Sequence, residues 1–189
     1  MKKYLKIILY ILSFIVFIAL AVWGYKYLTT KYLPTEIEQL EGSNDKKAID
    51  FEVLNSNKEK VKLSEFYGKP IVVNFWPTWC GPCRNELPEF ENAYKKYNGQ
   101  VEFLMVNLTD GYSETIESVE KFIKDNKYEF PVYFDTEYSA SNAYSIYSIP
   151  RTLFIDEEGN ILSSYVGMMD EELLEKYINR LIKNRRRNV

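Results

Sequence analysis

The sequence lacks histidine altogether and has only two cysteines among its 189 residues. A structural zinc site takes four ligands from cysteine and histidine, and two cysteines alone do not complete it. Covalent haem attachment needs a histidine directly after the second cysteine, where this chain has Arg84, and two-cysteine copper-delivery sites need a distant histidine. These absences argue against zinc, haem and copper, so the sequence predicts no metal site.

Glycine is also sparse, at eight residues, and neither a Gly-X-Gly-X-X-Gly pattern nor a phosphate-binding loop occurs. The sequence therefore predicts no organic cofactor. The net charge is only −3, and the one charge run, at residues 185–187, is more typical of a solvated tail than of a nucleic-acid-binding patch. We expect no nucleic-acid partner.

Both cysteines lie in one motif, Trp79-Cys80-Gly81-Pro82-Cys83, directly after the apolar run of residues 71–76. A Cys-X-X-Cys pair between a strand and the start of a helix is a redox motif, since two thiols so placed can close a small ring and reopen it. The unpaired N–H groups of a helix start favour negative charge, which predicts Cys80 as the attacking thiolate. A permanent structural disulfide is the alternative, but so short a ring removes little entropy from the unfolded chain.

The N-terminal segment has the pattern of a membrane anchor. Lys2, Lys3 and Lys6 form a basic leader, and an uncharged apolar run follows over residues 7–25, close to the length that spans a bilayer core. The positive-inside rule then predicts a single-pass signal-anchor over residues 1–28 in the cell membrane, with a cytoplasmic N-terminus and an extracytoplasmic domain. A cleaved signal peptide, cut after Ala19-Leu20-Ala21, is the alternative, and it exports the domain equally.

The remainder of the chain predicts a linker over residues 29–47 and one domain over residues 48–189. Two short alternating runs, 51–54 and 60–63, predict a β-hairpin at the front of the domain. Alternating strands and helices then predict an α/β domain with a mixed sheet covered on both faces. The predicted strands are 71–75, 101–108, 130–134, 152–155 and 161–166, and the predicted helices are 84–97, one capped by Ser113, a short one within 137–147 and one starting at Asp170.

Two motifs carry a family resemblance. Residues 74–83 are followed by Glu86-Leu87-Pro88, and residues 148–156 read Ser-Ile-Pro-Arg-Thr-Leu-Phe-Ile-Asp. Over residues 49–181 the chain resembles the thioredoxin superfamily, and more narrowly the membrane-anchored extracytoplasmic thiol-disulfide oxidoreductases of the TlpA/ResA type. The resemblance implies a thioredoxin fold with an N-terminal β-hairpin and a central αβ insertion between residues 110 and 134.

The resemblance also implies roles for residues around the cysteines. It implies that Ile149-Pro150 is a cis peptide facing the sulfurs, and that the client binds against Trp79, Pro82, Ile149 and Pro150. Glu86 stands where these proteins carry an acid, which makes it the expected acid-base group. A surface carboxylate favoured by the helix dipole is the alternative for Glu86.

Three positions depart from the related sequences, and one of them is Pro77, where a small residue is commoner. Asn74 stands where plain thioredoxins have a buried, proton-transferring Asp, and an amide cannot take up a proton. Arg151 stands where Thr is common, which bears on client preference.

The predicted function is reduction of disulfides in exported client proteins by dithiol-disulfide exchange through a redox-active disulfide of Cys80 and Cys83. The resemblance implies a membrane thiol carrier of the CcdA/DsbD kind as electron donor and apocytochrome c or other exported proteins as clients. The alternatives are a disulfide-forming oxidase and a non-enzymatic module that binds a client or a soft metal ion. A peroxide-reducing relative would need Thr-X-X-Cys, and Thr78 lies too close to Cys80 for that.

Overall fold

The computed structural model describes residues 2–32 and 46–188. The chain divides into two compact units, Met1–Gln39 and Leu40–Val189. The first contains one long helix and the second contains a seven-stranded sheet with its helices.

The N-terminal helix α1 spans Lys2–Tyr32. Its stretch Lys6–Tyr25 has 20 residues and a mean hydropathy of 2.7, which is long and apolar enough to cross a membrane. The helix continues past residue 28, so residues 29–32 of the predicted linker are helical. Residues 33–45 of that linker lie outside the described residues. The described chain resumes at Lys46, and Lys47 forms a β-bridge with Asn160, one residue before the predicted start of the domain.

The sheet is mixed, in the strand order β2-β1-β5-β4-β3-β6-β7. The central strands β3, β4 and β5 are parallel, and all other neighbouring strands are antiparallel. β1 and β2 form the predicted hairpin, and β3 is buried along its whole length, as its continuous apolar sequence predicts. The strands are β1 (Glu52–Leu54), β2 (Lys60–Lys62), β3 (Ile71–Trp76), β4 (Glu102–Asn107), β5 (Val132–Phe134), β6 (Arg151–Ile155) and β7 (Ile161–Val166).

Helices cover both faces of this sheet. Adjacent strand residues point to opposite faces. The Phe75 ring lies 6.0 Å from that of Tyr144, which follows α4, whereas the Trp76 ring lies 5.9 Å from that of Phe122 on α3. The fold is therefore the predicted α/β thioredoxin-type arrangement. The helices are α2 (Gly81–Tyr97), α3 (Ile116–Asn126), α4 (Ser139–Ala143) and α5 (Glu171–Asn188), with a 3-10 helix at Leu63–Phe66.

The prediction that Ser113 caps α3 is wrong. Thr115 is the N-cap: its hydroxyl accepts a hydrogen bond from the Ser118 N–H (3.2 Å), and the Ser118 hydroxyl accepts one from the Thr115 N–H (3.0 Å). Ser113 instead donates its hydroxyl to the Asp110 carboxylate in the preceding loop. Both residues are favoured at caps, and only the path of the loop decides between them.

Candidate active site

The two cysteines lie where β3 passes into α2. They form a disulfide, and Cys80 is the N-cap of α2, which places the predicted pair at the predicted strand-helix junction. The Cys83 N–H donates a hydrogen bond to the Cys80 sulfur over 3.2 Å. Because helix N-termini carry a partial positive charge, this position favours the thiolate form of Cys80 when the pair is reduced.

Glu86 lies on α2, three residues after Cys83, and its side chain is fully buried. The Glu86 carboxylate accepts hydrogen bonds from the Asn74 amide (2.8 Å) and from the Met169 N–H (2.9 Å). Burial raises the pKa of this carboxyl to about 7, against the opposing effect of those two hydrogen bonds. The alternative of a surface carboxylate is therefore wrong, because α5 and the loop before it cover this part of α2.

Asn74 orients Glu86 from the neighbouring strand. Its amide nitrogen also donates to the Thr152 hydroxyl of β6 over 3.1 Å. A buried chain of hydrogen bonds thus runs from Thr152 on β6 through Asn74 on β3 to Glu86 on α2. An amide donor here holds the Glu86 carboxylate in place but has no proton of its own to exchange near neutral pH.

Glu114 is a second buried carboxylate beside the redox motif, and sequence reasoning missed it. Its two oxygens accept hydrogen bonds from the Thr78 N–H and the Thr78 hydroxyl, both at 2.6 Å, and one also accepts from the Asn107 amide at 2.7 Å. Glu114 therefore fastens the loop before Cys80 to the end of β4. No local pattern reveals this role, since Thr78 and Glu114 are 36 residues apart in the chain.

The expected client-binding residues surround the same junction. Trp79 is 62% exposed, and Pro82 is also exposed. The Ile149–Pro150 peptide bond is cis. The sheet register pairs Phe75 with Arg151, which brings Pro150 to the end of the sheet where β3 leads into residues 77–80, the redox loop, which joins β3 to α2.

Arg151 is turned toward neutral groups. Its guanidinium donates to the Tyr144 carbonyl and to the Ser164 hydroxyl, each over 3.1 Å. The part of the chain that the structure describes holds no group of three or more His, Cys, Asp or Glu that could bind a metal ion.

Comparison with known proteins agrees with this geometry. Residues 45–164 match the AhpC/TSA family. The thiol-disulfide oxidoreductase ResA of Bacillus subtilis (strain 168) is 36% identical over 144 residues, covering 76% of each chain. ResA of Geobacillus kaustophilus (strain HTA426) is 33% identical over 165 residues, covering 87% of this chain and 90% of the relative.

Solved structures give the same grouping. The crystal structure of StoA from Bacillus subtilis is 30% identical with a TM-score of 0.61, covering 69% of this chain and 97% of that one. A putative thiol:disulfide interchange protein DsbE from Chlorobium tepidum is 31% identical with a TM-score of 0.65, covering 74% and 97%. With a Cys-X-X-Cys disulfide at the start of α2 and these relatives, the chain belongs to the AhpC/TSA family and, within it, to the ResA-like thiol-disulfide oxidoreductases.

Proposed function

We propose that this protein is a membrane-anchored, extracytoplasmic protein-disulfide reductase that works through Cys80 and Cys83. The observation that carries the proposal is the disulfide at the start of α2, in which the Cys80 sulfur caps the helix. A sulfur that accepts a helix N–H is stabilised as a thiolate once the bond is reduced. A thiolate is the nucleophile that disulfide exchange requires.

The reaction consists of two exchanges. The Cys80 thiolate attacks one sulfur of the client disulfide, and the other client sulfur leaves as a thiolate and takes up a proton. The Cys83 thiolate then attacks the Cys80 sulfur, which releases the first client sulfur as a second thiol. The client gains two electrons and two protons, and the protein ends with its Cys80–Cys83 disulfide.

Glu86 accepts the thiol proton of Cys83 and later returns it. Cys83 must lose its thiol proton before it can attack, and a carboxylate with a pKa near 7 accepts and returns a proton at neutral pH. The raised pKa of Glu86, about 7, and its place one helical turn beyond Cys83 support this role. The Asn74 amide holds the Glu86 carboxylate in position for it.

The client chain lies against Trp79 and Pro82 on one side and Ile149-Pro150 on the other. The exposure of Trp79 and Pro82 supports this arrangement, as does the β3–β6 register that brings Pro150 to the redox loop. Clients are exported proteins with disulfides, among them apocytochrome c. The electron donor that reduces the Cys80–Cys83 pair after each turnover is a membrane thiol carrier of the CcdA/DsbD kind.

The location rests on α1 and on its flanking charges. The stretch Lys6–Tyr25 is apolar enough to span a bilayer. Lys2, Lys3 and Lys6 favour a cytoplasmic N-terminus, which places the redox domain outside the cytoplasm, where disulfides form and persist.

A trapping experiment tests the exchange mechanism. Full-length Cys83→Ala, expressed in membranes, stalls at the mixed disulfide, so mass spectrometry is expected to find discrete proteins joined to Cys80. The matched control is the same chain with Cys80→Ala added, which should lose every adduct. A folded, membrane-bound Cys83→Ala protein without adducts would contradict the exchange and favour a module that only binds its client.

The direction of exchange is tested by the reduction potential of the Cys80–Cys83 pair, measured by equilibration with glutathione buffers. A reductase is expected to have a potential near that of thioredoxin, about −270 mV, and Gly81-Pro82 between the cysteines favours that value by analogy with reducing thioredoxins. A value near that of a strong oxidant, about −120 mV, would instead indicate a disulfide-forming oxidase.

A further inference from the structure

A groove with an aromatic lining opens beside the redox loop, with a volume of about 350 Å³. We propose that it binds a lysine or arginine side chain next to the client's cysteine; this inference rests on the proposed reductase function. It makes the protein selective for clients with a basic residue near the disulfide. The lining side chains that carry the argument are Trp79, Leu108, Asp110, Tyr138, Ile146 and Tyr147.

The aromatic side chains of the groove are unusually exposed. Tyr147 is 92% exposed, Trp79 is 62% exposed and Tyr138 is 50% exposed. Large apolar groups grouped on a surface mark contact sites. The faces of tyrosine and tryptophan rings carry negative charge density and attract the cations of lysine and arginine. Three such rings around one groove form a surface for a cation that also has an apolar stem.

Asp110 supplies the charge. Among the described residues that line the groove it is the one acidic residue, and none of the others is basic. Its carboxylate accepts hydrogen bonds from the Ser113 hydroxyl, from the Glu114 N–H (2.9 Å) and from the Tyr112 N–H (2.7 Å). These bonds, the Ser113 hydroxyl foremost, lower the pKa of Asp110 to about 2. A fixed negative charge among aromatic rings is complementary to a cation and repels an acidic client.

The groove is held in shape before a client arrives. Glu114 binds Thr78 through both of its carboxylate oxygens, so it ties the loop of Asp110 to the loop of Trp79. Across the groove, Asp135 accepts hydrogen bonds from the first-turn N–H groups of α4, Ala140 (3.0 Å) and Ser141 (2.8 Å). A site with fixed walls loses less conformational freedom on binding.

The position of the groove determines which client residue enters it. Trp79 directly precedes Cys80, so a client joined to the Cys80 sulfur presents the residues next to its own cysteine to this groove. The preference for a basic side chain therefore acts on binding and on the lifetime of the mixed disulfide.

The test uses the full-length chain in micelles of an uncharged detergent, reduced and then freed of reductant. The probes are three peptides of equal length, each closed by an internal disulfide and differing in one residue beside a cysteine: lysine, glutamine or glutamate. Oxidation of the protein is followed by acid quench, alkylation and mass spectrometry at a series of peptide concentrations. The half-saturating concentration is expected to be about five-fold lower for the lysine peptide than for the glutamine peptide, and highest for the glutamate peptide.

Two variants assign the preference to the groove. Asp110→Asn removes the charge and keeps the oxygen that accepts the two backbone N–H groups, while the oxygen that accepts the Ser113 hydroxyl becomes an NH2 group, toward which that hydroxyl can turn as acceptor. The variant is expected to reduce the lysine-to-glutamine preference to about two-fold. Tyr147→Leu keeps an apolar side chain but removes the ring face. The double variant, Asp110→Asn with Tyr147→Leu, should show a weaker preference for lysine than Asp110→Asn alone. The matched control, Asp125→Asn, removes the same charge from an exposed ion pair with Lys121 on α3 and should keep the full preference.

The outcomes separate the two proposals. Equal half-saturation for the three peptides, or an unchanged lysine preference in Asp110→Asn, would overturn the groove and leave the reductase function intact. Failure of every peptide to oxidise the reduced protein would overturn the reductase function and the groove with it.

Discussion

At the scale of single residues, two buried carboxylates near the redox pair, Glu86 and Glu114, have different hydrogen-bond partners and different roles. Glu86 receives two hydrogen bonds from donors among the described residues, and its pKa is raised to about 7 by burial. Glu114 receives three, of which two come from Thr78 in the redox loop. The first is equipped to exchange a proton at neutral pH, and the second holds the loop that precedes Cys80.

The raised pKa of Glu86 predicts a pH-dependent stability. Between the ordinary value of 4.5 and about 7 the folded protein keeps a proton that the unfolded chain has lost. The contribution of Glu86 to the free energy of unfolding therefore falls as pH rises through this window. Glu86→Gln abolishes this dependence, so its stability relative to the wild type should rise by about 3 kcal/mol between pH 4 and pH 8.

Urea titration of the oxidised full-length chain in micelles, followed by tryptophan fluorescence, measures this difference. The variant also bears a pH-independent loss of about 1–3 kcal/mol, because one glutamine oxygen cannot serve both the Asn74 and Met169 donors. Glu120→Gln, which removes an exposed carboxylate from α3, is the control for the charge change. A difference between Glu86→Gln and wild type that is constant with pH would contradict the raised pKa.

At the scale of elements, helix starts position the chemistry. The start of α2 places Cys80 as its cap, and the start of α3 leaves Glu114 directly before the cap, Thr115, from where its carboxylate reaches Thr78. A shift of the α3 cap to Ser113 would carry Glu114 into the helix. The start of α3 is therefore coupled to the redox loop.

The cap of α3 is open to a direct comparison. Thr115→Ala removes the hydroxyl that accepts the Ser118 N–H and should lower the free energy of unfolding by about 1 kcal/mol. Ser113→Ala removes an exposed hydroxyl together with its hydrogen bond to the Asp110 carboxylate, and it should lower the free energy of unfolding less than Thr115→Ala does. Urea titrations of both variants in the same buffer measure the two losses in free energy of unfolding. A larger loss for Ser113→Ala than for Thr115→Ala would indicate that Ser113 is the cap.

At the scale of the whole molecule, the proposed anchoring of the redox domain to a membrane by α1 can be tested directly. The positive-inside rule gives the orientation to be tested. In a chain with both cysteines replaced by serine, a single cysteine at Lys46→Cys should be labelled in intact cells by a maleimide that does not cross membranes. A single cysteine at Lys6→Cys should be labelled only after the cells are permeabilised. If Lys6→Cys is labelled in intact cells and Lys46→Cys is not, the topology is the opposite of the one proposed.

The sequence by itself determined the redox pair, its strand-helix setting and the α/β architecture, because each depends on local spacing and periodicity. The apolar segment of α1 is likewise predicted by the sequence alone. Only the tertiary structure decided that Glu86 is buried and that Glu114 binds Thr78, since the Met169 N–H that bonds to Glu86 lies 83 residues away and Glu114 reaches back 36 residues. A carboxylate's pKa depends on which groups displace water from it, and a groove depends on which loops meet. Both are set by contacts between distant parts of the chain, which a local pattern does not contain.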